Sequence, residues 1–243
     1  FRHVQMLLAS TFLFTRTRDR KEKLPNSLEA LRIWRVENSE VWRRYAVHRA
    51  SLKDVAADAG RPLPGCDPMP KTSELMSNNL LGANVTLRAS TNQDASESPP
   101  LKMLDKDINE VFLFHGTSPA GALGIVDRGF DISKAAGTAC YGPGAYFAEC
   151  SSKSDEYACV ESDGIHQGHC AMLLCRVLLG RVLHWQTEFS HELAHAWASG
   201  AHDSILGDRL RLRGTYREFV LPPESCHGAY PEYLIVYRRH YDD

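Results

Sequence analysis

Three short stretches hold the side chains best suited to chemistry. His115-Gly116-Thr117 closes an apolar run. A glycine there lets backbone approach a flat ligand, while His and Thr can bond hydroxyl groups. Tyr146-Phe147-Ala148-Glu149 is followed by Ser154 and Tyr157, which are three apart and share one side of a helix. A hydroxyl beside an aromatic face, with a second tyrosine on a neighbouring strand, suits a planar aromatic carboxamide. Tyr216-Arg217-Glu218-Phe219-Val220 sets a carboxylate inside an apolar strand. Alternation puts Glu218 on the face opposite Phe219, which taken alone predicts exposure to solvent. Each stretch singly also has an ordinary structural explanation, as a strand-end histidine, a core aromatic or a solvated acid.

Two other chemistries are weighed beside this one. His191-Glu192-Leu193-Ala194-His195 is a literal H-E-x-x-H. On a helix it would aim two imidazoles at a zinc ion, with Glu192 as the general base of a metalloprotease. The third ligand of the extended pattern is missing, because Ala198 and Ala201 hold those places, which leaves Glu218 as a downstream alternative. A dinucleotide loop is excluded. Gly142-Pro143-Gly144 precedes a strand, lacks the third glycine, and loses a donor at Pro143.

The elements that must position these residues are legible in outline. Leu31–Glu37 reads as a strand, and Asn38 and Ser39 open a helix reaching about Ala57. Val111–Phe114 is a short strand. Ser118-Pro119 and Gly129 bracket a helix over Pro119–Arg128. Asp131–Gly144 is a Gly/Ala-rich loop and Ala145–Ala148 a strand. Ser152 with Asp155 forms a weak capping box that predicts a helix running through Cys159. Ala171–Leu179, Tyr216–Leu221 and Tyr233–Arg238 read as strands. Many short strands with few helices give an α+β class. Residues 1–24 read as an N-terminal arm, with the mixed-charge run Arg16–Lys23 solvated. Residues 25–243 form one domain, interrupted at about 60–104 by a Pro/Ser/Asn-rich insertion that holds the acceptor-like Asn84-Val85-Thr86.

Composition bounds the classes. The chain has 243 residues, is 43% hydrophobic and 24% charged, and carries a formal charge of -2. These values fit a folded chain and give no general basic field, so direct nucleic-acid binding is not expected. No apolar run approaches the ~20 residues of a membrane-spanning helix. The 7 cysteines are irregularly spaced, which favours a reducing, intracellular compartment, cytoplasm or nucleus. The chain opens on Phe1, so its numbering is expected to start inside a longer protein.

Taken together and in order, the stretches resemble the poly(ADP-ribose) polymerase-type ADP-ribosyltransferases, whose sites carry a His-Tyr-Glu set. His115-Gly116-Thr117 matches the family's His-Gly-Ser/Thr. The block Gly144-Ala145-Tyr146-Phe147-Ala148-Glu149-Cys150-Ser151-Ser152-Lys153-Ser154-Asp155-Glu156-Tyr157 matches its tyrosine-to-tyrosine segment. Tyr216-Arg217-Glu218-Phe219-Val220 matches its glutamate strand, and Ala229-Tyr230-Pro231-Glu232-Tyr233-Leu234-Ile235 resembles its closing strand, most like the tankyrase branch. The resemblance is strong over about 110–240, weaker over Arg32–Ser51, and finds no counterpart for 1–24.

The resemblance implies an ADP-ribosyltransferase fold of two antiparallel sheets flanking an NAD+ cleft, with ADP-ribose moved to protein acceptors or to the chain itself. It implies catalytic roles for Glu218, His115 and Tyr146, and NAD+ binding by Gly116, Thr117, Asp131, Ser154 and Tyr157. NAD+ is the substrate, and no metal is required. Some members hold zinc after the second tyrosine. Here Cys159, His166, His169 and Cys170 occupy that interval at spacings that do not match. The role of the loop Gly207–Thr215, with its three arginines, is not read. An inactive module that only binds ADP-ribose or a partner remains a further alternative, although such relatives usually lose the His or the Glu.

Overall fold

A computed structural model of the chain describes residues 1–73, 104–134, 140–160, 167–186 and 191–242. Asn84-Val85-Thr86, His166 and most of the expected insertion lie outside these residues. Among the described residues no helix is long and apolar enough to cross a membrane.

Helix α1 (Arg2–Ser10) leads into β1 (Ser27–Arg35) and α2 (Ser39–Ala59). Next come β2 (Glu110–Thr117), α3 (Pro119–Arg128), β3 (Ala145–Ala148) and α4 (Ser151–Asp155). β4 (Cys170–Leu178), β5 (Val182–Trp185), α5 (His191–Ala198) and β6 (Ser204–Asp208) follow. The chain closes with α6 (Arg209–Arg213), β7 (Arg217–Leu221) and β8 (Ala229–His240). This is the α+β class expected. The two expected sheets prove to be halves of one 8-stranded sheet, ordered β1-β8-β4-β2-β3-β7-β6-β5. β2 and β3 are joined by the single register pair Phe114↔Ala148 and splay apart beyond it. Among the described residues, the one departure from antiparallel pairing is β5 with β6, which run parallel.

The splay leaves the edge of β2 in need of partners, and the segment 72–73 supplies them. Ser73 Oγ accepts from the Phe112 amide at 2.9 Å, and the Thr72 hydroxyl donates to the Phe112 carbonyl. Buried backbone groups are thus satisfied without another strand. Along β2, Val111 and Leu113 enter the larger core with Phe147 and Phe219, while Phe112 and Phe114 face a second core under α1. His115 continues the first of these faces, where core gives way to open cleft.

Local signals explain several boundaries. Asn38 Oδ1 accepts from the Glu40 and Val41 amides at 3.1 Å and starts α2, which ends at Gly60 with φ 63°. Ser118 Oγ accepts from the Gly121 amide and starts α3. β1 begins earlier than expected because Ser27–Arg35 pairs with the long β8, with a bulge between Ala30 and Arg32. The Ser152/Asp155 capping box does not form, and α4 stops at Asp155. Ser152 Oγ instead accepts from the Leu13 amide, and the Asp155 carboxylate takes Arg20, Tyr237 and Arg239.

Those contacts also correct part of the solvated arm, although Arg16, Arg18, Lys21, Glu22 and Lys23 stay exposed. Val4, Leu7 and Leu8 are buried in the core under β1 and β8. The strap that follows, residues 11–20, lies against α4. Arg20 is only 4% exposed and donates to Asp155 at 2.9 Å, and Thr17 Oγ1 donates to Glu156 at 2.9 Å. Alternating charge signalled a wet surface, but the partners were waiting on α4. Leu8→Ala is therefore expected to cost ~2–5 kcal/mol in urea unfolding, as core truncations do. A change under about 0.5 kcal/mol, the surface value, would place α1 outside the core.

Candidate active site

His115, Gly116, Thr117, Asp131, Tyr146, Ser154, Tyr157 and Glu218 meet in one cleft of about 740 Å³, at the splay between β2 and β3, whereas His191, Glu192 and His195 do not line it. His115, Gly116 and Thr117 come from the end of β2, Tyr146 from β3, and Glu218 from β7. Ser154 lies on α4, Tyr157 just after it, and Asp131 follows α3.

The floor is set by one very close approach. A Cβ on Gly116 would stand 1.7 Å from the Ser154 carbonyl oxygen, so no side chain fits there. The Gly116 and Ser154 backbones are thereby held against each other, and both residues line the cleft. His115 Nδ1 lies 2.8 Å from the Tyr146 carbonyl oxygen and bridges the splay. A carbonyl only accepts, so Nδ1 carries the proton and a neutral ring leaves Nε2 as an acceptor. Burial pushes the His115 pKa below 6.5, against the opposing hydrogen bond to Tyr146. Phe130 packs edge-on to the imidazole at 5.0 Å and holds its orientation.

The two tyrosines are fixed differently. The Tyr146 hydroxyl donates to the Gly142 carbonyl at 2.7 Å and accepts from the Tyr141 amide at 2.8 Å, which leaves its ring to serve the cleft. Tyr157 is 46% exposed, but its hydroxyl accepts from Lys153 at 3.0 Å and reaches Asp19 Oδ2 at 3.4 Å. Burial pushes its pKa up to about 12, against the Lys153 charge. At the start of α3, the Thr117 hydroxyl lies so near Gly121 that a Cβ there would meet it at 2.4 Å. Asp131 Oδ1 accepts from Ser133 Oγ at 2.6 Å.

Glu218 departs from the expected exposure. It is 4% exposed, because α4, α6 and the strap cover its face of β7. Strand partners Ala148 and Gly207 flank it. Oε1 lies 3.3 Å from Lys153 Nζ and Oε2 lies 3.5 Å from Arg209 Nη1, yet Oε2 has no hydrogen-bond partner. A buried carboxylate oxygen left without a donor is costly and calls for an explanation. Burial alone would push the Lys153 pKa down, but Glu218, Tyr157 and Glu156 more than offset this and hold it up. Asp19 ends below the ordinary carboxylate range, because Lys153 and Arg209 outweigh its burial.

Sequence reasoning missed Lys153, Arg209 and Asp19. Lys153 stood inside the tyrosine-to-tyrosine block, and Arg209 in the loop left without a role, so each had a positional signal. Asp19 had none.

A family model for the poly(ADP-ribose) polymerase catalytic domain matches residues 11–201, taking in most of the described cleft and the strap itself. The chain belongs to that family. The chemistry of the family uses NAD+ as substrate and needs no metal. A Dictyostelium discoideum protein named "Probable poly(ADP-ribose) polymerase" is 29% identical over 221 residues, 90% of this chain and 47% of that protein. Human protein mono-ADP-ribosyltransferase PARP12 is 33% identical over 135 residues, 54% of this chain and 18% of that protein. The mouse PARP12 is 35% identical over 135 residues, with 54% and 17% covered. The chain thus spans about half the first relative and under a fifth of the others.

The metalloprotease alternative finds no support. His191 and His195 share α5, but among the described residues no group of three His, Cys, Asp or Glu is placed to hold a metal. Glu218 is enclosed by Lys153 and Arg209 rather than facing α5.

Two outcomes follow from the geometry. Gly116→Ala is expected to weaken nicotinamide binding at least about tenfold in calorimetry, since the methyl must displace the Ser154 backbone. Unchanged affinity would mean that this contact does not shape the pocket. For His115 the folded pKa lies below the unfolded one. Stability from the neutral ring is therefore complete above 6.5 and is lost as pH falls from there through the folded value. An NMR titration of the ring should give a midpoint below 6.5, and a higher midpoint would contradict a neutral His115.

Proposed function

We propose that this chain transfers ADP-ribose from NAD+ to protein side chains, its own among them, and releases nicotinamide. The observation that carries this reading is Glu218 Oε2, buried in the cleft without a hydrogen-bond donor. It is a vacant acceptor for the 2′-hydroxyl of the nicotinamide ribose.

The other roles follow from the same arrangement. The Gly116 backbone and Ser154 hydroxyl hold the carboxamide and stop the ring from turning. Tyr157 stacks on the pyridinium and Tyr146 closes the opposite side. His115 Nε2 accepts a ribose hydroxyl, and Thr117 and Asp131 meet the adenosine end. When the C1′–N bond breaks, its electron pair neutralises the pyridinium nitrogen, and nicotinamide leaves. Positive charge grows on the ribose, as in other oxocarbenium-like transition states. Glu218 stabilises that charge more than the ground state, through a carboxylate already oriented. The acceptor nucleophile then bonds C1′ and gives up its proton.

Mono- and poly-ADP-ribosylation both fit this site. The human and mouse relatives carry the first in their names and the Dictyostelium relative the second. The 7 cysteines are free, which supports a reducing compartment, cytoplasm or nucleus. The formal charge of -2 supports protein acceptors over direct nucleic-acid contact.

With labelled NAD+, nicotinamide release and label on protein should both fall by ~10²–10³ in Glu218→Ala, while nicotinamide affinity stays within about twofold. Equal turnover would remove Glu218 from the chemistry. Zinc-dependent peptide cleavage lost in Glu192→Ala, without NAD+ consumption, would favour the protease. ADP-ribose binding without turnover would favour a reader.

A further inference from the structure

The strap brings a second carboxylate to the reaction centre. Asp19 lines the cleft with Glu218. Its Oδ2 lies 2.9 Å from Lys153 Nζ and 3.4 Å from Arg209 Nη1, the same cations that flank Glu218. Asp19 is placed by a series of long-range bonds. The Leu13 amide donates to Ser152 Oγ at 3.0 Å, and the Tyr216 hydroxyl donates to the Thr15 carbonyl at 2.9 Å. Arg20 also donates to the Ser152 carbonyl at 2.7 Å. A mixed-charge tail would not need so many anchors to stay near the fold.

Arg209 is thus divided between two carboxylates, and Lys153 among three, since Glu156 Oε2 also lies 2.9 Å from its Nζ. Lys153 sits closer to Asp19 than to Glu218, at 2.9 against 3.3 Å. Arg209 stands 3.4 and 3.5 Å from its two acids, and its buried Nε also has no partner. A guanidinium with one carboxylate normally closes into short, paired hydrogen bonds. Here it is held off by the competing pull of Asp19.

We propose that Asp19 is a positioning residue: by sharing Lys153 and Arg209 with Glu218, it keeps Glu218 Oε2 free to accept the ribose hydroxyl. The inference rests on the transferase reading above. Without Asp19, Lys153 would keep Glu156 but Arg209 would face Glu218 alone, Arg209 would close onto Oε2, and the acceptor would be filled before substrate arrives. Turnover would suffer more than NAD+ binding, because the carboxamide clamp at Gly116 and Ser154 is untouched.

The test uses the full chain with Asp19→Asn and Asp19→Glu. Asp19→Asn keeps the volume and removes the charge. Its kcat for nicotinamide release should fall about tenfold or more, with KM for NAD+ within about threefold and a cooperative melting transition that shows the variant still folds. Asp19→Glu should recover most of the rate. In a crystal structure of Asp19→Asn, Glu218 Oε2 should accept a hydrogen bond from Arg209. Wild-type kcat in Asp19→Asn, a KM effect alone, or Glu218 unmoved in that structure would each overturn the proposal. So would ADP-ribose found on Asp19 by peptide mass spectrometry, since Asp19 would then be an acceptor. A wild-type chain that released no nicotinamide would sink the transferase reading, while the crystal structure would still decide the role of Asp19.

Discussion

The site depends on one costly arrangement, a carboxylate taken out of water and given two cations but not enough hydrogen bonds. Removing one partner from such a buried set typically costs ~3–5 kcal/mol, so every element around Glu218 is bound to keep its place. β7 supplies the acid between Ala148 and Gly207, α4 supplies Lys153, and α6 supplies Arg209. The strap closes the set from outside. A polar group left short of donors in a well-packed protein calls for an explanation, and the proposed ribose hydroxyl is one that would meet that need.

The cleft exists because the sheet fails to zip. β2 and β3 share the pair Phe114↔Ala148 and then part. Across the gap run the His115 bond to the Tyr146 carbonyl and the near-contact of Gly116 with Ser154. The floor of the opening is therefore bounded by backbone, where no side chain fits on Gly116. Tyr146 and Tyr157 both line that opening. The imidazole beside it is kept neutral and correctly turned by Phe130 and Phe147, at 5.0 and 5.6 Å.

Much of this was legible because it is local. Ser118, Pro119 and Gly129 mark the ends of α3 through caps that act within a few residues. Ala145–Ala148 shows its strand by composition. The cleft residues stood out through their types and order, and the structure gathers all of them. What stayed hidden is long-range. Ser152 and Asp155 look like a capping box, but Leu13, Arg20, Tyr237 and Arg239 take their side chains. Arg16–Lys23 looks like a wet charge run, and Arg16, Arg18, Lys21, Glu22 and Lys23 are exposed, but the partners of Thr17, Asp19 and Arg20 lie at α4 and are invisible to periodicity. Glu218 looks exposed by alternation, since a strand cannot announce that both its faces are covered. The same blindness hid Asp19, whose role is defined only by where Lys153 and Arg209 stand.

A co-crystal structure with a non-hydrolysable NAD+ analogue tests the central claim most directly. The account requires the carboxamide on the Gly116 backbone and Ser154 hydroxyl, the ring between Tyr146 and Tyr157, and the ribose 2′-hydroxyl donating to Glu218 Oε2. An analogue bound elsewhere, or in the cleft with that hydroxyl turned away and Oε2 still without a donor, would contradict it.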